Sequence, residues 1–217
     1  MRTSRLLPWG IGLALAVSMI YVPYLYYRYT LEHAKRLRPI VEGRFYRSGC
    51  LTADGFREAI RKHQIKTVIN LMEENPDPDL PYNRFRFGSV KESELCKEMG
   101  VDFHFIYVET NEPGALSQPT VDKFLKLMDR ETIYPVLLHC KAGLHRTGVL
   151  AAVYRMEYDG YSAPQAMREL KAHGFGDYIA NRSNPYIRQY VLDYKPRAAL
   201  PASRAVPAVP VHRRSAP

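Results

Sequence analysis

Residues 135–150, PVLLHCKAGLHRTGVL, dictate one local architecture. Pro135–His139 is a short apolar run of strand length and reads as a buried strand. That strand ends at Cys140, five residues make a tight loop, and Arg146-Thr147 begin a helix carrying Val149, Leu150 and Val153. A strand, loop and helix joined this way turn successive backbone N–H groups inward. They also aim a helix N-terminus at the same point, where negative charge is favoured. Gly143 lets the loop curve without a side chain blocking that approach.

The remaining body alternates between strands and helices. Residues 44–48 read as a short strand, and Thr52 as the cap of a helix running to His63. Lys66–Leu71, KTVINL, is a buried strand by its β-branched composition. EENPDPDLPYN, from Glu73, is a loop with three prolines. Ser89 and Glu92 have capping-box spacing for a helix through Met99. Asp102–Val108 reads as another strand. Ser117 and Pro119 open a helix with Val121, Phe124, Leu125 and Met128 on one face. Helical patterns follow at 147–159, 162–173 and 184–193. The predicted class is therefore α/β, with a central, mostly parallel sheet flanked by helices.

The 217 residues carry a formal net charge of +9, but that charge is unevenly placed. Residues 1–47 hold a net +6 and residues 196–217 a net +4, which leaves −1 for residues 48–195. A nearly neutral body excludes the usual phosphate-backbone footprint, so no nucleic acid partner is expected. From Leu6 to Tyr27 no side chain is charged. As a helix this span is about 33 Å long, enough for a bilayer core of about 30 Å. Trp9 stands near one end and a tyrosine cluster at the other, as interfacial aromatics do. The competing reading is a signal peptide with Ala14-Leu15-Ala16 as its cleavage motif; the apolar run continues past Ala16, which favours a retained anchor. Arg28, Lys35, Arg36 and Arg38 outnumber Arg2 and Arg5, a bias toward a cytoplasmic body. The expected organisation is a single-pass membrane protein. Its parts are a transmembrane anchor at 1–30, a juxtamembrane linker at 31–43, a catalytic domain at 44–195 and a disordered Pro/Ala/Arg tail at 196–217.

Cys140 sits where the loop field is most positive, which favours the thiolate, a nucleophile. Arg146 can hold two phosphate oxygens in a bidentate fork, and Thr147 can donate its hydroxyl to sulfur. HCKAGLHRTG resembles the H-C-x5-R-[ST] signature of the protein tyrosine phosphatase superfamily, with His139, Cys140, Arg146 and Thr147 at the four fixed places. The loop filling is similar to that of dual-specificity phosphatases. Tyr46-Arg47-Ser48-Gly49 followed by KTVINL resembles the opening of small bacterial, fungal and plant members. The resemblance implies a cofactor-free, metal-free phosphomonoesterase working through a phosphocysteine. The residues Lys141, Ala142, Gly143, Leu144, His145 and Arg146 would cradle the phosphate, and His139 would orient the loop. The implied substrate is a phosphotyrosine or phosphoserine/threonine protein. Two alternatives stand: a phosphoinositide or inositol phosphate phosphatase, and a catalytically weak phosphate-binding module. Leu144 takes the place of a second lysine found in phosphoinositide phosphatases. Lys141 reads equally as phosphate-facing or as solvated.

The family supplies an aspartic acid about thirty residues before the cysteine. Here Glu109 lies thirty-one residues before Cys140 and four before Pro113. It is the first candidate for the general acid, with Glu112 second and Asp122 third. Three cysteines are too few for a disulfide scaffold. Cys50 and Cys96 read as structural, although Cys50 has an alternative as a disulfide partner of Cys140. His33, His63, His104 and His173 lack metal-site spacing, and His104 is expected in the core.

Overall fold

The structure, a computed structural model, describes residues 6–72, 75–83, 87–108, 116–175 and 185–197. It divides into two compact units, one formed by Met1–Val108 with Lys126–Thr147, the other by Glu109–Leu125 with Gly148–Pro217.

The first unit begins with α1 (Leu6–Arg28), a helix long and apolar enough to cross a membrane, which runs into a π-helical turn, Tyr29–His33. Its sheet contains β1 (Arg38–Val41), β2 (Phe45–Ser48), β3 (Thr67–Asn70), β6 (Asp102–Phe105) and β7 (Val136–His139). The spatial order is β1-β2-β7-β3-β6, with β1 antiparallel to β2 and every other pair parallel. Four parallel strands with one antiparallel edge match the mostly parallel sheet expected. β1 falls within the stretch 31–43. β4 (Asp79–Pro81) occupies part of the proline-rich stretch read as loop and pairs antiparallel with β5 (Ser89–Lys91), which lies beyond that stretch.

β7 is central, and its four residues are all buried, as its apolar run requires. Ser48, His139 and Asn70 share one rung at the C-terminal ends of β2, β7 and β3. Loops leaving such a rung project from one edge of the sheet, the usual place for ligands in parallel sheets.

One core cluster joins Tyr46, Val68 and Leu137 of the sheet to α2 (Ala53–His63) and α3 (Glu92–Glu98). Phe56, Ala59 and Ile60 of α2 have the i, i+3, i+4 spacing that makes one buried face. Thr52 caps α2 as expected, its hydroxyl accepting the Gly55 N–H at 3.1 Å. The second expected cap is corrected. Ser89 lies in β5, and Lys91 occupies the N-cap position of α3 without a side-chain bond. The carboxylate of Glu92 is turned inward and so cannot reach back to Ser89. Asp77 caps instead, accepting the Ser93 N–H and hydroxyl, each at 2.9 Å. The strand expected over 102–108 stops at Phe105, and His104 on this edge strand is half-exposed rather than core.

α4 (Gln118–Met128) and α5 (Arg146–Tyr158) each pass from one unit into the other, and the second unit adds α6 (Ala163–Ala172) and α7 (Pro185–Asp193). Its core joins Val149, Ala152 and Met156 of α5 to Ala166, Met167 and Leu170 of α6 and to Ile187 and Val191 of α7.

Candidate active site

Cys140 leaves β7 with only 4% of its surface exposed. The five residues after it curve back so that the Gly143 N–H donates to Cys140 Sγ at 3.2 Å. Gly143 has φ +71°, and a Cβ there would stand 2.5 Å from Gly49 N and 2.6 Å from Ser48 O. Both the conformation and the close backbone approach require glycine.

Three consecutive loop carbonyls are held from outside the loop. The Cys50 N–H donates to Lys141 O at 3.3 Å, Arg36 Nη1 to Ala142 O at 3.0 Å and Arg47 Nη2 to Gly143 O at 2.8 Å. In a trans peptide the carbonyl and the following N–H point to opposite sides. Anchoring these three carbonyls outward therefore turns the amides of Ala142, Gly143 and Leu144 inward, toward the sulfur. A thiol with converging amides is an arrangement that favours negative charge on sulfur or on a bound oxyanion.

Arg146 is the first residue of α5, and its Nη1 donates to Leu71 O at 3.4 Å. Thr147 is fully buried, and its hydroxyl has no hydrogen-bond partner among the described residues. Ser48, on the rung beside His139, also carries a buried hydroxyl without a hydrogen-bond partner among the described residues. Unsatisfied buried hydroxyls are uncommon and call for an explanation, of which a ligand is one. Lys141 is exposed, His145 half-buried and Leu144 buried.

Behind the loop lies a polar network. His139 Nε2 meets Glu92 Oε1 at 2.6 Å, with both side chains fully buried. Asn70 Nδ2 donates to Glu92 Oε2 at 3.1 Å, and Asn70 Oδ1 accepts the Met72 N–H at 2.6 Å. The Phe56 ring stands edge-on to His139, with centroids 5.3 Å apart. His139 is thus fixed in place immediately before the cysteine.

Glu109 and Glu112 lie outside the described residues. Asp122 is exposed on α4, where its carboxylate accepts from Gln118 Nε2 at 2.8 Å. The three cysteines are free thiols. Burial, with Glu92 adding to it, pushes the Cys50 thiol up to about 12, and burial does the same for Cys96. Among the described residues no group of three or more His, Cys, Asp and Glu has metal-site geometry.

Sequence reasoning missed Arg36, Glu92 and Asn70. Arg47 lies in the YRSG stretch that carried the resemblance, but nothing local in that stretch marks it as a donor to Gly143.

Likeness to known proteins places this mostly parallel sheet and its cysteine loop in a dual-specificity-phosphatase-like fold. Residues 31–184 match the model of the DSP-PTPase phosphatase fused to NAD+ kinase, and the chain belongs to that family. OCA1 of Mycosarcoma maydis, named as a tyrosine-protein phosphatase, is 30% identical over 118 residues, which are 54% of this chain and 66% of that protein. DSP3 of Arabidopsis thaliana, named an inositol diphosphatase, is 28% identical over 116 residues, 54% and 52% of the two chains. This chain therefore spans less than two thirds of the length of either relative. The crystal structure of TpbA from Pseudomonas aeruginosa superposes with a TM-score of 0.55, covering 74% of this chain and 88% of that one, at 23% identity. At that identity the likeness is one of fold.

Proposed function

We propose that this protein is a cysteine-dependent phosphatase of tyrosine or dual specificity that hydrolyses phosphomonoesters through a phosphocysteine. The observation that carries this reading is the Gly143 N–H on Cys140 Sγ, within a loop whose carbonyls 141–143 are all anchored outward. The sulfur attacks phosphorus, the bond to the leaving oxygen breaks, and a carboxylic acid supplies that oxygen with its proton. Arg146 and the inward amides hold the equatorial oxygens while charge builds on them. Thr147 donates its hydroxyl to sulfur as water attacks the phosphocysteine and the P–S bond breaks. Glu109 is the proposed acid. The substrate is a phosphotyrosine or phosphoserine/threonine protein, in keeping with the name borne by OCA1.

A second reading is a phosphorylated inositol or lipid. The name of the relative DSP3 favours it, as do Lys141, exposed within the loop, and the Arg36 guanidinium on the loop carbonyl of Ala142. The proposed organisation is an anchor over 1–30 that spans a membrane through residues 6–27, a juxtamembrane stretch 31–43, a cytoplasmic phosphatase domain 44–195 and a tail 196–217.

Release of phosphate from phosphotyrosine and phosphoserine peptides, inositol phosphates and an aryl phosphate tests the reading, with Cys140→Ser as the blank. The full chain is expected to turn over aryl phosphate and phosphopeptide, and Cys140→Ser neither. A strong preference for inositol phosphates moves the assignment to the second reading. Turnover that survives Cys140→Ser ends both. Glu109→Gln is expected to remove the basic limb of the pH–rate profile, and an unchanged profile excludes Glu109 as the acid.

A further inference from the structure

The peptide group joining Ala142 to Gly143 has a different partner at each end. Its N–H donates to Cys140 Sγ at 3.2 Å, and its carbonyl accepts from Arg36 Nη1 at 3.0 Å. A guanidinium on the oxygen of a peptide polarises the whole group and strengthens the N–H on its far side as a donor. The chain of contacts therefore runs from the cation through one peptide to the sulfur.

Arg36 is held in place for this contact. It adopts φ +55°, a left-handed conformation that is unfavourable for a non-glycine residue and persists only where its surroundings impose it. The neighbouring Lys35 carbonyl accepts the Gly49 N–H at 2.7 Å, and the Lys35 stem lies over the open face of Gly49. Three residues earlier, His33 meets Glu58 of α2 at 2.8 Å and Thr52 Oγ1 at 3.3 Å. The stretch that follows the apolar helix is thus bound to both α2 and the loop.

We propose that Arg36 is a positioning residue that activates Cys140 through the Ala142–Gly143 peptide, which makes the segment after the apolar helix part of the active site. This inference rests on the phosphatase reading of the loop. It assigns to Arg36 two effects: it fixes the plane of one cradle peptide, and it places positive charge behind that peptide.

The test uses full-length protein in detergent at pH 7, with two readouts. One is the rate of Cys140 alkylation by iodoacetamide, located by peptide mass. The other is the affinity for inorganic phosphate, measured as protection from that alkylation. Cys50 and Cys96, with thiols pushed up to about 12, stay silent under these conditions. Arg36→Ala is expected to slow alkylation and to weaken phosphate binding about fivefold each, the scale of one lost charge-assisted hydrogen bond relayed through a peptide. Arg36→Lys, which keeps a charged donor, recovers about half of the loss.

Arg36→Gly separates the role from folding. Glycine relieves the left-handed strain, so the melting temperature holds or rises while both readouts fall as they do in Arg36→Ala. Alkylation and phosphate affinity equal to wild type in Arg36→Ala and Arg36→Gly would overturn the inference and leave the phosphatase reading standing. A wild-type protein that phosphate does not protect overturns the reading itself, and the inference with it.

Discussion

Glu92 is a carboxylate with no solvent access, facing an imidazole that has none either. Taking a polar group out of water costs free energy unless a partner with good geometry bonds it. His139 at 2.6 Å and Asn70 at 3.1 Å are those partners. Removing Glu92 alone strands the His139 Nε2 beside Phe56, whereas the Asn70 amide keeps the Pro76 carbonyl at 3.2 Å. Glu92→Leu should therefore cost about 1–3 kcal/mol of stability by urea denaturation. Pairing it with His139→Phe should cost clearly less than the sum of the two single changes, because the double variant buries no stranded polar group. Additive losses would show that the two side chains do not act as a unit.

Helices α5 and α6 are tied by a bidentate pair, with Arg155 Nε on Glu169 Oε2 at 2.8 Å and Nη2 on Oε1 at 2.9 Å. Burial pushes the Glu169 carboxyl up, but hydrogen bonds from His173 and Arg155 outweigh it and hold the group below its ordinary 4.5. A carboxyl depressed in the folded state stabilises the fold above its unfolded value. That contribution fades as pH falls through the lower folded value. Urea midpoints of the wild type should accordingly drop from pH 5 downward more steeply than those of Glu169→Gln. The two curves separate near neutrality and converge in acid; parallel curves would sink the assignment.

The same elements show what local sequence can and cannot reveal. α2 was legible because its determinants are local: Thr52 bonds an N–H three residues on, and Phe56, Ala59 and Ile60 repeat at helical spacing. The cysteine loop was legible for a like reason, since strand, glycine and helix start are contiguous. Ser89 with Glu92 has equally good local spacing and yet makes no cap, because Glu92 is claimed by a histidine 47 positions away. Arg47 and Arg36 reach the loop across 96 and 106 positions. Which carbonyl a given arginine will meet depends on strand order and register, and neither periodicity nor spacing encodes that.

At the scale of the whole molecule, α1 is the element whose surroundings are unresolved by its own chain. Trp9 is 80% exposed, and Leu13, Leu15, Val17, Met19 and Ile20 are exposed around it. Among the described residues, none covers this apolar window. Each fully exposed large aliphatic side chain forgoes about 1.5–3 kcal/mol of burial, so leaving a helix of 23 residues in water this way is costly. A bilayer would cover every face at once and would match the helix length of about 34 Å, as the proposed anchor requires. Pro23, inside this helix, is tolerated in membrane spans, where the freed carbonyl can be satisfied locally. The expected outcome is a full-length protein that stays with membranes through alkaline carbonate and high salt and keeps its N-terminal residues by intact mass. Leu13→Arg, which sets a charge near mid-span at a cost of about 2.5–3.5 kcal/mol, should shift part of it into the soluble fraction. A mature chain beginning just after Ala16 would establish the helix as a signal peptide, and the anchor assignment would fall.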